Sequence, residues 1–303
     1  MDNLFEKLTV VIPTLNEEKA IGKVIDELLE LGLSPSQILV VDGHSTDRTV
    51  DIARSKGVNV VFQEGRGKAD AIKTALKYVK TPYILFMDGD YTYPAKHIPE
   101  LLEAAERRGY AEVIGARLYG RENIPLLFRF GNWALTKLFN LLFGTRLRDV
   151  LSGMYLVKRE FLEDMDFSTK GFSIESEIAA HIASTGGEIG EVPIVYRQRL
   201  GEKKLKVRHG IRIALDMIKL AWRYNPVFLV TLIGASLLVP GLALSAYVAY
   251  DLVVHGVKHY VKGLIAAILV AIGLNSLVLA ILSVYIKRAE IRILRRIRMC
   301  RCR

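Results

Sequence analysis

Cysteine is almost missing from this chain: two in 303 residues, Cys300 and Cys302, both in a basic tail. A disulfide between them would close a tiny loop and brace nothing, and the pair offers too few ligands for a structural zinc site. That excludes a disulfide-built scaffold and a thiolate zinc module. The two are read as free thiols on the tail, with lipidation beside a membrane as the alternative use. The first seven residues, Met1-Asp2-Asn3-Leu4-Phe5-Glu6-Lys7, carry no signal-peptide pattern.

Charge is missing where its absence tells most. Residues 226–250 and 263–286 contain no Asp, Glu, Lys or Arg. Each stretch exceeds the ~20 residues needed to cross a bilayer. The connector 251–262 is short and has only two lysines, whereas 197–223 and 287–303 are rich in Lys and Arg. The excess of basic residues on both flanks predicts a hairpin at the cell membrane, with the preceding domain and both termini in the cytoplasm. Net charge is +10, and the tail from Lys287 carries eight basic residues against Glu290 alone. Charge beside an apolar span points to membrane lipids as partners rather than nucleic acid. Between domain and hairpin, 207–225 reads as an amphipathic interfacial helix. Arg212, Asp216, Lys219 and Arg223 fall on one face, and Ile211, Leu215, Ile218 and Trp222 on the other. A helix packed on the domain is the competing reading.

What is present earlier in the chain is alternation. Short Val- and Ile-rich runs occur at 8–12, 38–41, 58–62, 83–87 and 112–116, mostly apolar throughout, as buried parallel strands are. Helical stripes lie between them: Ile21, Val24, Ile25, Leu28 and Leu29; then Ala69, Ile72, Ala75, Leu76 and Val79; then Ile98, Leu101, Leu102 and Ala105. Asn16 is the expected N-cap of the first helix. The fold class is α/β, a Rossmann-like, mostly parallel sheet with helices on both faces. Residues 118–200 are less regular. The Leu- and Phe-rich stretch 126–143 reads as a helix, at a membrane surface in preference to a buried position.

Ligands of such sheets sit beyond the carboxyl ends of the strands. The residues there are Pro13-Thr14-Leu15-Asn16-Glu17, Asp42-Gly43-His44-Ser45-Thr46-Asp47, Glu64-Gly65-Arg66-Gly67-Lys68, Asp88-Gly89-Asp90 and Arg117. Polar loops are general in αβ proteins, but three acidic ends with an Asp-x-Asp among them are not. Asp88 and Asp90 can both reach one hard cation, Mg²⁺ or Mn²⁺, that keeps open positions for diphosphate oxygens. Gly65-Arg66-Gly67-Lys68 lacks the third glycine of a dinucleotide fingerprint and the spacing of a P-loop. It is either loop punctuation or a donor contact through Lys68 or Arg66. His44 and His97 read as bystanders.

Taken in order, these segments resemble the GT-A glycosyltransferases of family 2. Gly115-Ala116-Arg117, Arg129-Phe130-Gly131-Asn132, Asp149-Val150-Leu151-Ser152-Gly153, Ile174-Glu175-Ser176-Glu177 and Val192-Pro193-Ile194-Val195-Tyr196-Arg197 narrow the resemblance to the dolichyl- or polyprenyl-phosphate sugar synthases. The match runs from residue 8 to about 210, which gives a catalytic domain over 1–206, the interfacial helix 207–225, the hairpin 226–286 and the tail 287–303. The resemblance implies that Pro13, Thr14, Asn16, Glu17, Asp42, Lys68 and Asp88 bind a nucleotide-sugar donor. It implies that Asp88 and Asp90 hold the cation, and that Arg117, Arg129, Arg197 and Lys204 receive a lipid phosphate. Asp90, Arg117 and Asp149 would be the catalytic set, with Asp149 or Glu175 a base only for a hydroxyl acceptor. Relatives commonly place Gln where this chain has Thr92, which leaves a third metal contact open. The family's commonest activity makes mannose from GDP-mannose the first choice of sugar, with UDP-glucose and UDP-N-acetylglucosamine as alternatives. A non-catalytic membrane scaffold is the remaining reading.

Overall fold

The computed structural model describes residues 5–163, 165–167, 173–201 and 207–301, apart from the side chains of 207–209, 294–295 and 298–301. The chain divides into two units, Met1–Lys219 and Leu220–Arg303.

The first unit is built on a seven-stranded sheet, in the order β3-β2-β1-β4-β6-β5-β7. The strands are β1 (Leu8–Thr14), β2 (Ile38–Asp42), β3 (Asn59–Phe62), β4 (Tyr83–Phe86), β5 (Glu112–Tyr119), β6 (Tyr155–Lys158) and β7 (Ile189–Val195). Neighbours are parallel except that β6 runs against both β4 and β5. The central strands are apolar throughout because both faces are covered: Val10, Ile12, Val40, Leu85 and Leu156 are fully buried. The run ending at Phe62 differs. As β3 it is the edge strand, and Asn59 and Phe62 are exposed. An edge strand loses the covering of one neighbour, which the residue types alone do not reveal.

The helices follow the predicted stripes. They are α1 (Ile21–Glu30), α2 (Thr49–Ser55), α3 (Lys68–Leu76) and α4 (Ile98–Arg108), then α5 (Leu126–Phe143), the single turn α6 (Glu160–Glu163), α7 (Ile174–Ser184) and α8 (Val207–Tyr224). Helix α1 buries Ile21, Val24, Ile25 and Leu28 against the sheet core. Asn16 does not cap it. The N-cap is Ala20, and Asn16 stands at φ 53° with its side-chain oxygen accepting the Thr46 amide at 2.8 Å. A left-handed Asn joined to the next strand's loop fixes the spacing of two strand ends instead. Helix α8 has a second apolar face beyond the one read from sequence. Ile213 and Met217 are buried, while Ile211, Leu215 and Ile218 are exposed.

The second unit holds α9 (Pro226–His255) and α10 (Tyr260–Arg301), whose apolar stretches are long enough to cross a membrane. They pack closely where side chains are small. A Cβ on Gly234 would meet Ser276 at 2.8 Å, and one on Gly273 would meet Leu238 at 2.6 Å. Glycines at a helix contact let backbones approach, the usual means of association where no water drives packing.

Candidate active site

The strand ends open into a cavity of about 720 Å³. Its walls come from the loops after β1, β2, β3 and β4, from the loop entering β6, and from α5, α7 and the segment after β7. Pro13, Thr14, Glu17, Lys68, Asp88, Asp90 and Arg117 all line it.

On one side Lys68 begins α3, after Gly67 at φ 94°, a conformation that suits only glycine. This turn sends the Lys68 ammonium between Asp88 Oδ1 and Glu175 Oε1, each at 2.6 Å. Burial works against the charge, but Asp88 and Glu175 hold the ammonium's pKa well above its ordinary value. Asp90 is buried beside Asp88. Burial and that neighbouring charge raise its carboxyl, while Arg199 and Thr92 pull the other way. Arg199 contacts Asp90 Oδ2 at 2.9 Å and Glu17 Oε1 at 2.6 Å. Thr92 donates its amide to Asp90 at 3.1 Å. It braces Asp90. Gly153 closes in on Asp88 so tightly that a Cβ there would lie 2.0 Å from Asp88 Oδ2.

Across the cavity Arg117 at the end of β5 is clamped by Asp149. Its Nε donates to Oδ2 at 2.6 Å and its Nη2 to Oδ1 at 2.7 Å, while the Arg117 backbone amide also donates to Oδ2 at 3.0 Å. Asn132 of α5 adds a bond to Oδ1 at 2.7 Å. Burial would raise the Asp149 carboxyl, but the guanidinium and these bonds overcome that and hold it below the ordinary value. Both oxygens of Asp149 are engaged, so its geometry is that of a holder of Arg117. The guanidinium also lies over Tyr196, 5.6 Å from the ring centre.

Several expected residues stand elsewhere. Asp42 is fully buried and bonded to Ser45 through its amide (2.7 Å) and hydroxyl (2.6 Å), shaping the loop rather than lining the cavity. Asn16 and Arg66 are also outside the wall. Arg197 turns to Glu27 at 2.5 Å and lies 4.6 Å over the Tyr91 ring, away from the cavity. Arg129 does not line the cavity, and its buried Nε has no partner among the described residues. Lys204 lies outside the described residues. His44 bonds the Gln63 carbonyl and His97 receives the Val195 amide, both in supporting positions. Arg199, Tyr93 and Tyr196 are site residues that sequence reasoning missed. Tyr93 is buried, and its hydroxyl accepts the Gly153 amide at 2.7 Å. In sequence Arg199 is one basic residue among many after β7, and only contact with Glu17 and Asp90 separates it from Arg197.

Comparison with known proteins agrees with this geometry. The sequence profile described as glycosyl transferase family 2 matches residues 9–166. Glycosyltransferase AglJ of Haloferax volcanii is 33% identical over 284 residues, covering 92% of this chain and 93% of that protein. A dolichyl-phosphate hexose transferase of the same organism is 38% identical over 202 residues, covering 66% of this chain and 87% of its own length. Among solved structures, glucosyl-3-phosphoglycerate synthase from Mycobacterium tuberculosis, crystallised with Mn²⁺, UDP-glucose and phosphoglyceric acid, superposes with a TM-score of 0.60. It is 24% identical and covers 74% of this chain and 82% of that one, a likeness of fold. By its sequence and its sheet, the chain belongs to glycosyl transferase family 2 and is a glycosyltransferase of GT-A fold.

Proposed function

We propose that this glycosyltransferase moves a hexose from a nucleotide-sugar to the phosphate of a dolichyl or polyprenyl lipid, at the cytoplasmic face of the cell membrane and with inversion at the anomeric carbon. One observation carries the reading. Among the described residues every carboxylate of the cavity wall is matched to a cation: Asp88 and Glu175 to Lys68, Asp90 and Glu17 to Arg199. None of these four is poised to take a proton from a hydroxyl. An acceptor phosphate is already largely ionised near neutral pH and requires positioning rather than a base. The name of the dolichyl-phosphate hexose transferase relative supports the same acceptor.

The donor set at Asp88 and Asp90 is two hard oxygens, which fits Mg²⁺ or Mn²⁺ completed by diphosphate oxygens and water. The raised carboxyl of Asp90 supports that fit, since two neighbouring carboxylates favour an added cation. When bound there, the cation neutralises charge that develops on the departing diphosphate. Pro13, Thr14 and Glu17 would hold the nucleoside side of the donor and Lys68 its phosphates. Arg117, held still by Asp149, would fix the acceptor phosphate. One acceptor oxygen forms the new C–O bond while the bond to the nucleoside diphosphate breaks. The electron pair leaves with the diphosphate, and no proton moves.

The test is label transfer by the full-length protein in detergent. GDP-mannose, the first donor to try, UDP-glucose and UDP-N-acetylglucosamine are each offered with polyprenyl phosphate, with and without Mg²⁺ or Mn²⁺. A labelled lipid that needs the metal and is lost in Asp90→Ala is the expected result. Donor turnover with no labelled lipid would move the acceptor to a glycan hydroxyl. No turnover at all, in a folded protein that binds Mn²⁺, would leave the scaffold reading.

A further inference from the structure

A second cavity, of about 520 Å³, lies against the other face of α5. Leu127, Gly131 and Leu135 line the active site, whereas Trp133, Thr136 and Lys137 line this one, about half a turn around the helix. Its far wall is made by the chain that leaves α5. The helix stops at Gly144, φ 68°, and the Asn140 side chain folds the following loop back. Asn140 donates to the Leu147 carbonyl at 2.8 Å and accepts the Leu147 amide at 3.0 Å. This staple brings Arg146 and Arg148 to the cavity that Lys137 and Arg121 also line.

Three observations point to one kind of ligand. Among the described residues the wall contains four cations, Arg121, Lys137, Arg146 and Arg148, and no acidic residue. Among the described residues none of the four has an ion pair, and the nearby carboxylate of Glu191 accepts the backbone amides of Arg148 and Asp149 instead. Four cations with one carboxylate, Glu191, in electrostatic reach of Arg148 leave positive charge in excess, and a bound anion relieves it with charge-assisted hydrogen bonds. Second, Thr136 is 2% exposed, and its hydroxyl is buried without a partner among the described residues. Buried hydroxyls are ordinarily satisfied, so an unpartnered one on a residue of the cavity wall points to a polar ligand atom. Third, the strip of α5 beside Lys137 exposes Leu126 (75%), Phe130 (65%), Trp133 (57%) and Leu141 (63%). The charged cavity therefore opens beside an apolar ridge.

We propose that this cavity is a second anion site, which binds the phosphate group of an amphiphile while the ridge meets its acyl chains. The site is separate from the donor cavity, and its argument does not rest on the sugar-transfer reading. Free phosphate shares the headgroup's chemistry, and the experiment separates the two. The sequence has two tryptophans, so Trp222→Phe in the full-length protein leaves Trp133, in the cavity wall, as the sole reporter. In detergent this protein is titrated with dihexanoyl phosphatidic acid, with dihexanoylglycerol and with inorganic phosphate, following Trp133 emission. Phosphatidic acid should give a saturable change that Lys137→Gln with Arg146→Gln weakens about tenfold or more. Lys137→Arg with Arg146→Lys should restore it, which separates loss of charge from loss of fold. Saturation by inorganic phosphate at similar concentration, with the same charge dependence, would assign the anion site to free phosphate. An equal response to phosphate-free dihexanoylglycerol, no saturable response to either anion, or indifference to removal of the charges would overturn the proposal.

Discussion

The Lys68 ammonium stands 2.6 Å from Asp88 on β4's loop and 2.6 Å from Glu175 on α7, one cation joining two elements across the cavity. Its removal leaves Asp88, Asp90 and Glu175 together without their central counter-charge. Lys68→Met should therefore lower kcat/KM for the donor by about 10²-fold, the scale of a lost preorganised charge contact. Steady-state kinetics with varied donor check this. An effect on the lipid acceptor's KM alone would place Lys68 on the wrong substrate.

Arg199 bridges Asp90 and Glu17, so in the ligand-free protein a guanidinium sits where a divalent cation would compete for the same carboxylate. Arg199→Gln should tighten Mn²⁺ binding in the absence of nucleotide by about tenfold, since one nearby positive charge is removed from a partly buried site. Electron paramagnetic resonance of free Mn²⁺ reads this directly. Unchanged or weaker Mn²⁺ binding would separate the Arg199 contact from the metal site.

Asp149 neutralises Arg117 with both oxygens while nearly fully buried. Asp149→Asn keeps the shape but leaves the guanidinium unpaired, and loss of one partner of a buried pair costs roughly 3–5 kcal/mol. Thermal unfolding in detergent should show the loss. Replacing both residues, Arg117→Met with Asp149→Leu, should recover most of the stability and none of the transfer activity.

Glu112 gives a pH dependence with a definite sign. It is 1% exposed, its Oε2 has no partner among the described residues, and burial, with Glu175 adding to it, raises its carboxyl well above the ordinary 4.5. In the unfolded chain the group ionises near its ordinary value; in the folded protein it holds its proton to higher pH. Its contribution therefore falls as pH rises above the unfolded value and levels off beyond the folded one. Glu112→Gln should melt higher than wild type near neutral pH, with the difference shrinking toward pH 4.5. A difference independent of pH would assign the effect to packing.

Gly153 faces Asp88 at a distance that excludes any side chain. Gly153→Ala should push Asp88 off Lys68 and cut transfer by about tenfold or more while the melting temperature changes little, because the atom displaced is the end of a side chain. Activity and melting curves measured together check it.

Much of the framework was legible because β1, β2, β4 and β5 are apolar runs followed by polar loops, and the strand-end rule then located Asp88, Asp90 and Arg117. Strand β6 escaped notice: Tyr155–Lys158 is four residues long and has no alternation to mark it. The pairing of Arg199 with Asp90, and of Arg197 with Glu27, was equally hidden. The two arginines are two residues apart in the same basic stretch, and only the path of the chain after β7 gives them different partners. Asp42, to which the resemblance gives a nucleoside contact, bonds Ser45 through both oxygens in the ligand-free protein, which residue order does not reveal.

The reversed direction of β6 has a consequence for how this enzyme can be altered. Its Tyr155 end lies beside Phe86 and its Lys158 end beside Tyr83. Chain entering β6 therefore passes the reactive rim, and chain leaving it emerges at the opposite rim. Exchanges between Gly144 and Met154 that keep Asp149 and Gly153 would recast which substrates fit, whereas cargo grafted just after Lys158 would ride on the back of the sheet. One backward strand thus divides the surface into a region open to new specificity and a region that tolerates attachment.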